Sequence, residues 1–423
     1  MDILVVGSGG REHAIVWKLS QSPEAGKIYC APGNAGIAGI AECVNIGAME
    51  FEKLADFAAE KGVGLTVVGM DDPLIGGITD VFQERGLRVF GPTGAAAAIE
   101  GSKAFAKDLM KKYAIPTAEY ETFTDAESAL SYLESARMPI VLKADGPALG
   151  KGVLIANDLG EAREAVKEIM QDKKFGDAGN TLVIEEFMTG REVSVLCFCD
   201  GTDIVPMTTA QDHKRALDGD KGLNTGGMGT FSPSPFYTDE IAEVCMETIY
   251  KPTMAAMAAE GRPFTGILFV GLMLTKNGPK VLEYNCRFGD PETQVVLPRM
   301  KSDLLTLFEA CIDKRLSEVS LEFEDNAAVC VVLASEGYPV SYKKGFPIKG
   351  LENFEGSSDK FVFHAGTKLA DGSIVTNGGR VLGVTALGKD LKEARANAYK
   401  ASELIDFDNK YMRHDIGKAI DEA

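Results

Sequence analysis

The chain has 423 residues, which at roughly 100–200 residues per domain is enough for about three domains. Its 45% hydrophobic and 25% charged content is ordinary for a folded protein, and its net charge of −18 excludes a general nucleic-acid binder, which needs a dense positive field. A small phosphorylated ligand stays open, because it needs only a local cluster of cations, and the 46 glycines direct attention to loops.

The first hundred residues alternate strand and helix patterns. Strands are expected at Asp2–Val6, Lys27–Ala31, Leu65–Val68 and Arg88–Phe90, with helices at Arg11–Ser20, Glu50–Lys61 and Leu74–Glu84. This β-α-β order predicts a parallel, doubly wound sheet, punctuated at its end by Gly91-Pro92-Thr93-Gly94. A second block follows, with helices at Lys103–Tyr113, Ala126–Ser135 and Gly160–Met170. Its strands are Pro139–Lys143, Val153–Ala156, Leu182–Glu186 and Glu192–Cys199. A long helical stretch, Glu240–Ala259, leads to strands Gly266–Thr275 and Lys280–Asn285, joined by the hairpin signal Asn277-Gly278. From about Asn326 the chain turns β-rich, with Ala327–Leu333, Phe361–Ala365 and Arg380–Ala386, and it closes on a helix near Asp390–Leu404.

No apolar run reaches the roughly 18–20 residues a membrane helix needs. The opening Met1-Asp2-Ile3-Leu4 lacks a basic segment and a cleavage-like site, and is expected to enter a strand at once. The eight cysteines form no C-x-x-C pair and no zinc spacing, so a reducing, cytoplasmic location is expected. Cys197 and Cys199 share a strand face and are expected in the core.

Five segments could carry chemistry. Gly7-Ser8-Gly9-Gly10-Arg11-Glu12-His13 follows the first strand, where a glycine turn into a helix offers N–H groups and a positive dipole end to a phosphate. The third glycine of a dinucleotide fingerprint would fall at Glu12, and no acidic residue stands about twenty positions on, which counts against NAD and an oxidoreductase. A tight turn and a mononucleotide phosphate site both fit. Lys143-Ala144-Asp145-Gly146-Pro147-Ala148-Leu149-Gly150-Lys151-Gly152-Val153 lies between two strands, with Gly146 and Gly150 one residue too close for a Walker A loop. It reads as a solvated hairpin or as a lid over a triphosphate.

Glu185-Glu186-Phe187 ends an apolar strand, with Glu192 beyond; it is a solvated strand end or an adenine and ribose contact. Gln211-Asp212-His213-Lys214-Arg215 and Asn224-Thr225-Gly226-Gly227-Met228-Gly229 are too polar and glycine-rich for core. Lys214 and Arg215 suit a phosphate, and Asp212 an amine. In Glu283-Tyr284-Asn285-Cys286-Arg287-Phe288-Gly289-Asp290-Pro291-Glu292, positions i and i+2 of a strand face one way. Glu283 and Asn285 then offer two oxygens to a hard cation such as Mg²⁺, and Arg287, two further on, could neutralise a developing phosphoryl charge.

Taken in order, these segments resemble the phosphoribosylamine–glycine ligase (glycinamide ribonucleotide synthetase) family of the ATP-grasp superfamily. Pro32-Gly33-Asn34-Ala35-Gly36, Ala334-Ser335-Glu336-Gly337-Tyr338-Pro339 and Thr376-Asn377-Gly378-Gly379-Arg380 extend the likeness over the whole chain. The resemblance implies a doubly wound domain (1–102), an ATP-grasp unit (103–325, with a lid at about 117–191) and a small β-rich domain (326–423). It implies ATP held by Lys103, Lys143, Gly150, Lys151, Glu185, Glu186, Phe187 and Glu192, and Mg²⁺ or Mn²⁺ on Glu283 and Asn285. Asp212, Lys214, Asn224, Thr225, Gly226, Arg287 and Asp290 would surround glycine and its acyl phosphate, with Lys143, Asp212 and Arg287 catalytic. Gly9, Gly10 and Arg11 would face 5-phosphoribosylamine. The implied activity is ATP-dependent ligation of glycine to 5-phosphoribosylamine in purine biosynthesis, by a cytoplasmic monomer. Another ATP-grasp ligase or carboxylase is the alternative.

Two segments depart from the family pattern. Pro147-Ala148-Leu149 stands where leucine-alanine-alanine is usual, and Gly69-Met70-Asp71-Asp72-Pro73 where glycine-proline-glutamate is usual. Asp72 is expected to keep that carboxylate, one methylene shorter.

Overall fold

The computed structural model describes residues 1–146 and 152–422. Pro147, Gly150 and Lys151 lie outside the described residues. Among the described residues, four sheets of four or more strands carry the architecture.

The first sheet is parallel throughout, in the order Glu42–Cys43, Ile28–Pro32, Ile3–Gly7, Leu65–Val68, Val89–Phe90. Its central strand is buried on both faces, as a helix-covered parallel sheet requires. Ile3 and Val5 enter one hydrophobic cluster and Leu4 and Val6 another, the alternation a strand imposes. The expected helix Leu74–Glu84 is two helices, Asp71–Ile75 and Ile78–Glu84, broken where Gly77 takes a φ of +89°. A helix that the sequence reading missed, Gly94–Gly101, follows Thr93, whose hydroxyl accepts from Ala96 N.

The second sheet is antiparallel, ordered Tyr120–Phe123, Leu182–Glu186, Ile140–Ala144, Val153–Ala156. Leu142 and Ile184 pack there with Val166 and Ile169 in a cluster of their own. The third, also antiparallel, runs Ile204–Pro206, Arg191–Asp200, Thr265–Thr275, Gly278–Asn285. The Asn277-Gly278 hairpin joins its last two strands, with Gly278 at φ +103°. Cys197 and Cys199 are buried in this sheet, and all eight cysteines are free thiols.

The fourth sheet takes Gln211–Asp212 and Gly229–Ser232 from the middle of the chain and joins them to Ala327–Ser335, Arg380–Gly388 and Lys360–His364. The glycine-rich segment from Asn224 to Thr230, expected outside the core, thus runs into a fully buried strand, Gly229–Ser232, that crosses the expected 325/326 division. The expected helix Glu240–Ala259 is likewise two, Asp239–Cys245 and Lys251–Ala259, joined by a wide π-type turn directly before Pro252, which lacks an N–H.

Candidate active site

The polar residues gather where the second and third sheets face each other and where the third meets the parallel sheet. The edge strand Gly278–Asn285 does most of the positioning. Strict alternation would put Val281, Glu283 and Asn285 on one face. A bulge at Leu282, opposite Gly271 and Leu272, resets the parity: Val281 and Tyr284 both enter the core, and Glu283 and Asn285 both face away from it. Gly271 pairs with Glu283, and a Cβ on it would come within 3.2 Å of Glu283 Cγ, so glycine there leaves the carboxylate room.

Glu283 Oε1 lies 3.2 Å from Lys214 Nζ, which is 3.6 Å from Glu192 Oε2. Lys214 first, then Lys143 and Lys103, hold the Glu283 carboxyl down to about 2 against the opposing effect of burial. Glu283 in turn raises Lys214 above its usual range. Both side chains keep 38% exposure, so the pair stands at a mouth that solvent can reach. Asn285 donates its Nδ2 to Tyr284 O at 2.9 Å, which leaves Oδ1 as its acceptor.

The lysines reach this mouth from two directions. Lys143 Nζ, on the second sheet, donates to Leu282 O at 3.3 Å. Lys103 Nζ donates to Gly146 O at 2.8 Å, and burial lowers its pKa. Ser102 caps the helix Lys103–Lys112, and Asp145 accepts from both Ser102 Oγ and Ala104 N, fixing that helix start against the loop after Ala144.

Glu185 is not a solvated strand end. It is 3% exposed and sits between Lys107 Nζ at 3.0 Å and Lys143 Nζ at 2.9 Å. Lys107, which the sequence reading passed over, is equally buried and donates to Thr117 Oγ1; burial brings its pKa down to about 8. Glu186 accepts from Lys280 Nζ at 2.8 Å, and Phe187, just past the strand, is 38% exposed.

Arg287 departs from the i+2 expectation. The strand stops at Asn285, and Arg287 turns to Glu100 Oε1 at 2.7 Å and Asp71 Oδ2 at 3.6 Å, away from Glu283. Glu100 also accepts from Cys286 N at 2.7 Å. Asp71, not Asp72, is the carboxylate that reaches this site; Asp72 is exposed. The helix start at Gly10 is already capped from within: Glu12 accepts from Gly9 N at 2.6 Å and from Arg11 Nε at 2.7 Å. Gly7 and Gly69 fit against the Glu12 side chain so closely that a Cβ on either would come within 2.4 Å of it. Gly10 is packed against Gln294. Arg11 Nη1 donates to Phe288 O, and Arg11 N to Asp290 Oδ2 at 3.4 Å.

Asp290 joins three parts of the chain. It accepts from Gln294 Nε2 at 2.9 Å and pairs with Arg380 Nη1 at 3.3 Å. Arg380 also donates to the carbonyls of Gly226 and Asp290, both at 2.9 Å. Burial works against ionisation of Asp290, but Arg380 and Arg11 hold its pKa below the usual value. Burial and then Glu292 push Asp212 well above the carboxylate range. Burial raises Glu292 too, whose Oε1 accepts from Ser194 Oγ at 3.0 Å. Thr225 N and Oγ1 both donate to Lys214 O, and Asn224 pairs with Arg215, which ties the two polar segments together. Glu100 and Lys107 lay outside every motif, and Arg380 and Glu292 lay inside quoted motifs without an assigned role; each becomes part of the site through a partner 70 or more residues away.

Two antiparallel sheets bridged by Lys143 of the second to the Leu282 carbonyl of the third, and by Lys280 of the third to Glu186 of the second, are an arrangement of the ATP-grasp class. Solved structures of low identity share that fold. One is the biotin carboxylase domain of the 2-oxoglutarate carboxylase of Hydrogenobacter thermophilus, with TM-score 0.74 and 15% identity over 97% of this chain and 91% of that one. Models of the phosphoribosylglycinamide synthetase N domain, ATP-grasp (A) domain and C domain match residues 1–100, 101–293 and 328–419.

The chain belongs to the phosphoribosylglycinamide synthetase family. It is 50% identical to the phosphoribosylamine–glycine ligase of Caldanaerobacter subterraneus subsp. tengcongensis over 98% of this chain and 99% of that one. It is 51% identical to that of Halalkalibacterium halodurans over 100% and 98%. The crystal structure of the phosphoribosylamine–glycine ligase of Thermotoga maritima superposes with TM-score 0.83 at 33% identity, covering 99% and 100% of the two chains.

Proposed function

We infer that the chain is an ATP-dependent carbon–nitrogen ligase that joins glycine to 5-phosphoribosylamine in purine biosynthesis, giving glycinamide ribonucleotide, ADP and phosphate. One observation carries this reading: half-identity to such ligases runs end to end, with no stretch left over that would set a different substrate. ATP and a divalent metal are the cofactors it requires. We take 1–102, 103–325 and 326–423 as its working units and a monomer as its working state. No helix among the described residues is long and apolar enough to cross a membrane.

Glycine's carboxylate is a poor acylating agent. Its oxygen takes the γ-phosphoryl group as the bond to ADP breaks, giving glycyl phosphate. The amine of 5-phosphoribosylamine attacks the carbonyl, the carbon–oxygen bond to phosphate breaks, and the amine loses a proton. Phosphoryl transfer asks for positioning and charge neutralisation more than for a protein nucleophile. Lys143 and Lys103, with Lys151, are assigned to the phosphates, and Glu185, Glu186, Phe187 and Glu192 to the nucleoside end, with Gly150 in the lid.

Glu283 and Asn285 suit a hard divalent cation, Mg²⁺ or Mn²⁺. Among the described residues no cluster of three or more acidic, histidine or cysteine side chains could hold a metal. Two protein oxygens fit a cation that takes its remaining ligands from phosphates and water. When bound, the metal neutralises phosphate charge. Glu283, paired with Lys214, would hold the cation together with Asn285, and Lys214, Asn224, Thr225 and Gly226 are assigned to glycine's acyl phosphate. Asp212, half-buried beside Lys214 and Glu292, is assigned to the glycine side as a catalytic group. Gly9, Gly10 and Arg11 are assigned to the phosphoribosylamine side; Arg287 and Asp290, expected around glycine and its acyl phosphate, are proposed there too, because Arg287 pairs with Glu100 and Asp71, and Asp290 with Arg11 and Arg380.

The test is a coupled ADP assay with 5-phosphoribosylamine generated in situ. ADP release should require both glycine and the amine and ignore bicarbonate. Bicarbonate-dependent release without glycine would make the chain a carboxylase instead.

A further inference from the structure

The hairpin Arg215–Leu217 and Lys221–Asn224 connects the two polar segments of the glycine side, yet it has little core of its own. Leu217 is 48% and Leu223 57% exposed, and residues 217–223 are exposed throughout. Apolar burial therefore cannot be what fixes its shape. A polar strap from the C-terminal end of the chain does so.

Arg413 is 1% exposed. Its Nη1 donates to Arg215 O at 3.0 Å, its Nη2 to Asp220 Oδ1 at 2.9 Å, and its Nε to Asp415 Oδ1 at 2.8 Å. Around it, Tyr411 OH donates to Ala216 O, Gly219 N to Asp415 Oδ2, His414 N to Asp218 Oδ1, and Gly417 N to His213 Nε2. Residues 411–417 thus hold the first arm and the turn of the hairpin, and Arg413 reaches both the first arm, at Arg215, and the turn, at Asp220, while also pairing with Asp415. The held residues run from His213 to Asp220 and include both neighbours of Lys214, and the hairpin they begin ends at Asn224. Releasing it would let Lys214 leave Glu283, and Thr225 leave the Lys214 carbonyl.

We propose that Arg413 is a positioning residue for the glycine site, acting through the 215–224 hairpin from about 190 residues away in sequence. It touches none of the assigned ligands. The inference rests on the assignment of Lys214 and Asn224–Gly226 to glycine. A guanidinium is needed there because its fork serves carbonyl and carboxylate acceptors in several directions at once, which a lysine ammonium on a flexible stem cannot reproduce.

The test uses the full chain with Arg413→Lys and Arg413→Gln, and the milder Asp220→Ala, whose exposed side chain makes it safe for folding. Arg395→Gln is the control, since Arg395 binds Gly417 O and Asp421 in the same C-terminal segment without touching the hairpin. Amide hydrogen exchange over 213–226 reads the strap, and KM for glycine against KM for ATP reads its consequence. For Arg413→Gln the expected result is at least tenfold faster exchange confined to 213–226. KM for glycine should rise about tenfold while KM for ATP stays within twofold. Asp220→Ala should show the same pattern at smaller size, and Arg395→Gln neither effect. Unchanged exchange in the Arg413 variants overturns the proposal. Faster exchange with unchanged KM for glycine overturns it as well. In that event Lys214→Ala separates the causes: an unchanged KM there too shows that the glycine assignment failed, whereas a raised KM shows that the strap does not govern it.

Discussion

Two polar clusters share one end of this molecule and are built on opposite plans. Around Glu283 the pairs are few and open: Glu283 and Lys214 are each 38% exposed, and each has an alternative charge nearby. Around Arg287 they are closed: Arg287 is 15% and Glu100 9% exposed, and Asp71, Arg11, Glu12, Asp290 and Arg380 extend the network through backbone and side chain. An open pair can exchange its partner for a metal or a phosphate at little cost. A closed one is already satisfied, so it holds a shape and fixes Arg11, Arg287 and Asp290 in place on the side assigned to phosphoribosylamine. On this account the Glu283 side performs phosphoryl transfer, and the Arg287 side keeps the parallel-sheet domain and the C-terminal sheet in register with it.

The comparison breaks most visibly at Glu283. Glu283→Ala should lower kcat/KM by on the order of 10³-fold or more, as loss of a group that stabilises transition-state charge does. Thermal unfolding should change by no more than a few degrees, because an exposed pair contributes little stability. Activity within a few-fold of the parent would remove Glu283 from the metal site. Arg287→Ala should do the reverse, costing about 3–5 kcal/mol in urea unfolding by leaving Glu100 buried and uncompensated. Adding Glu100→Gln should restore part of that loss; no restoration would mean that Arg287 acts elsewhere.

A third test uses the histidines that join the parallel-sheet domain to the C-terminal sheet. His13 Nδ1 accepts from His364 N at 2.8 Å, so both are held in a buried, neutral network. Burial lowers His13, and it brings His364 down to about 4. In the unfolded chain each imidazole takes its proton near about 6.5, so the unfolded state binds more protons as pH falls from there to about 4. Stability is full above that window and falls within it, by roughly 3 kcal/mol from His364 alone at its lower end. His364→Gln should flatten the decline between pH 6.5 and 4 in urea titrations. An unchanged slope would place the acid sensitivity elsewhere. The smallest expected effect is at Arg11. Arg11→Ala should raise KM for 5-phosphoribosylamine about tenfold, equivalent to about 1.4 kcal/mol, and leave KM for ATP within twofold. Equal changes in both would take Arg11 out of the substrate side.

The open cluster was far more legible in the sequence than the closed one. Glu283 and Asn285 interrupt an apolar strand, and Lys143 ends another; both signals are local. The same rule failed one step further on, because the strand ends at Asn285 and Arg287 leaves it. The i, i+2 spacing put Glu283 and Asn285 on one face, as observed, but the bulge at Leu282 is what turns them from the core, and no residue there announces it. The Arg287 network depends on pairings across 90 or more residues, such as Arg287 with Glu100 and Arg380 with the Asp290 carbonyl, which periodicity cannot show. Strands bounded by clear apolar runs, such as Leu65–Val68 and Leu182–Glu186, were read to the residue. Short ones such as Glu42–Cys43, and the helix hidden behind Gly91-Pro92-Thr93-Gly94, were missed because punctuation outweighed propensity. Asp71 replaced Asp72 because the side chain that faces Arg287 is set by the helix start at Asp71, not by the identity of two adjacent aspartates.

The central claim is that glycine is activated by phosphoryl transfer to its carboxylate. It is tested most directly by running a turnover with glycine labelled with ¹⁸O at both carboxylate oxygens, alongside ATP and 5-phosphoribosylamine, and analysing the inorganic phosphate by mass spectrometry. The account predicts that each phosphate released carries a single heavy oxygen taken from glycine. Unlabelled phosphate accompanying product formation would contradict it.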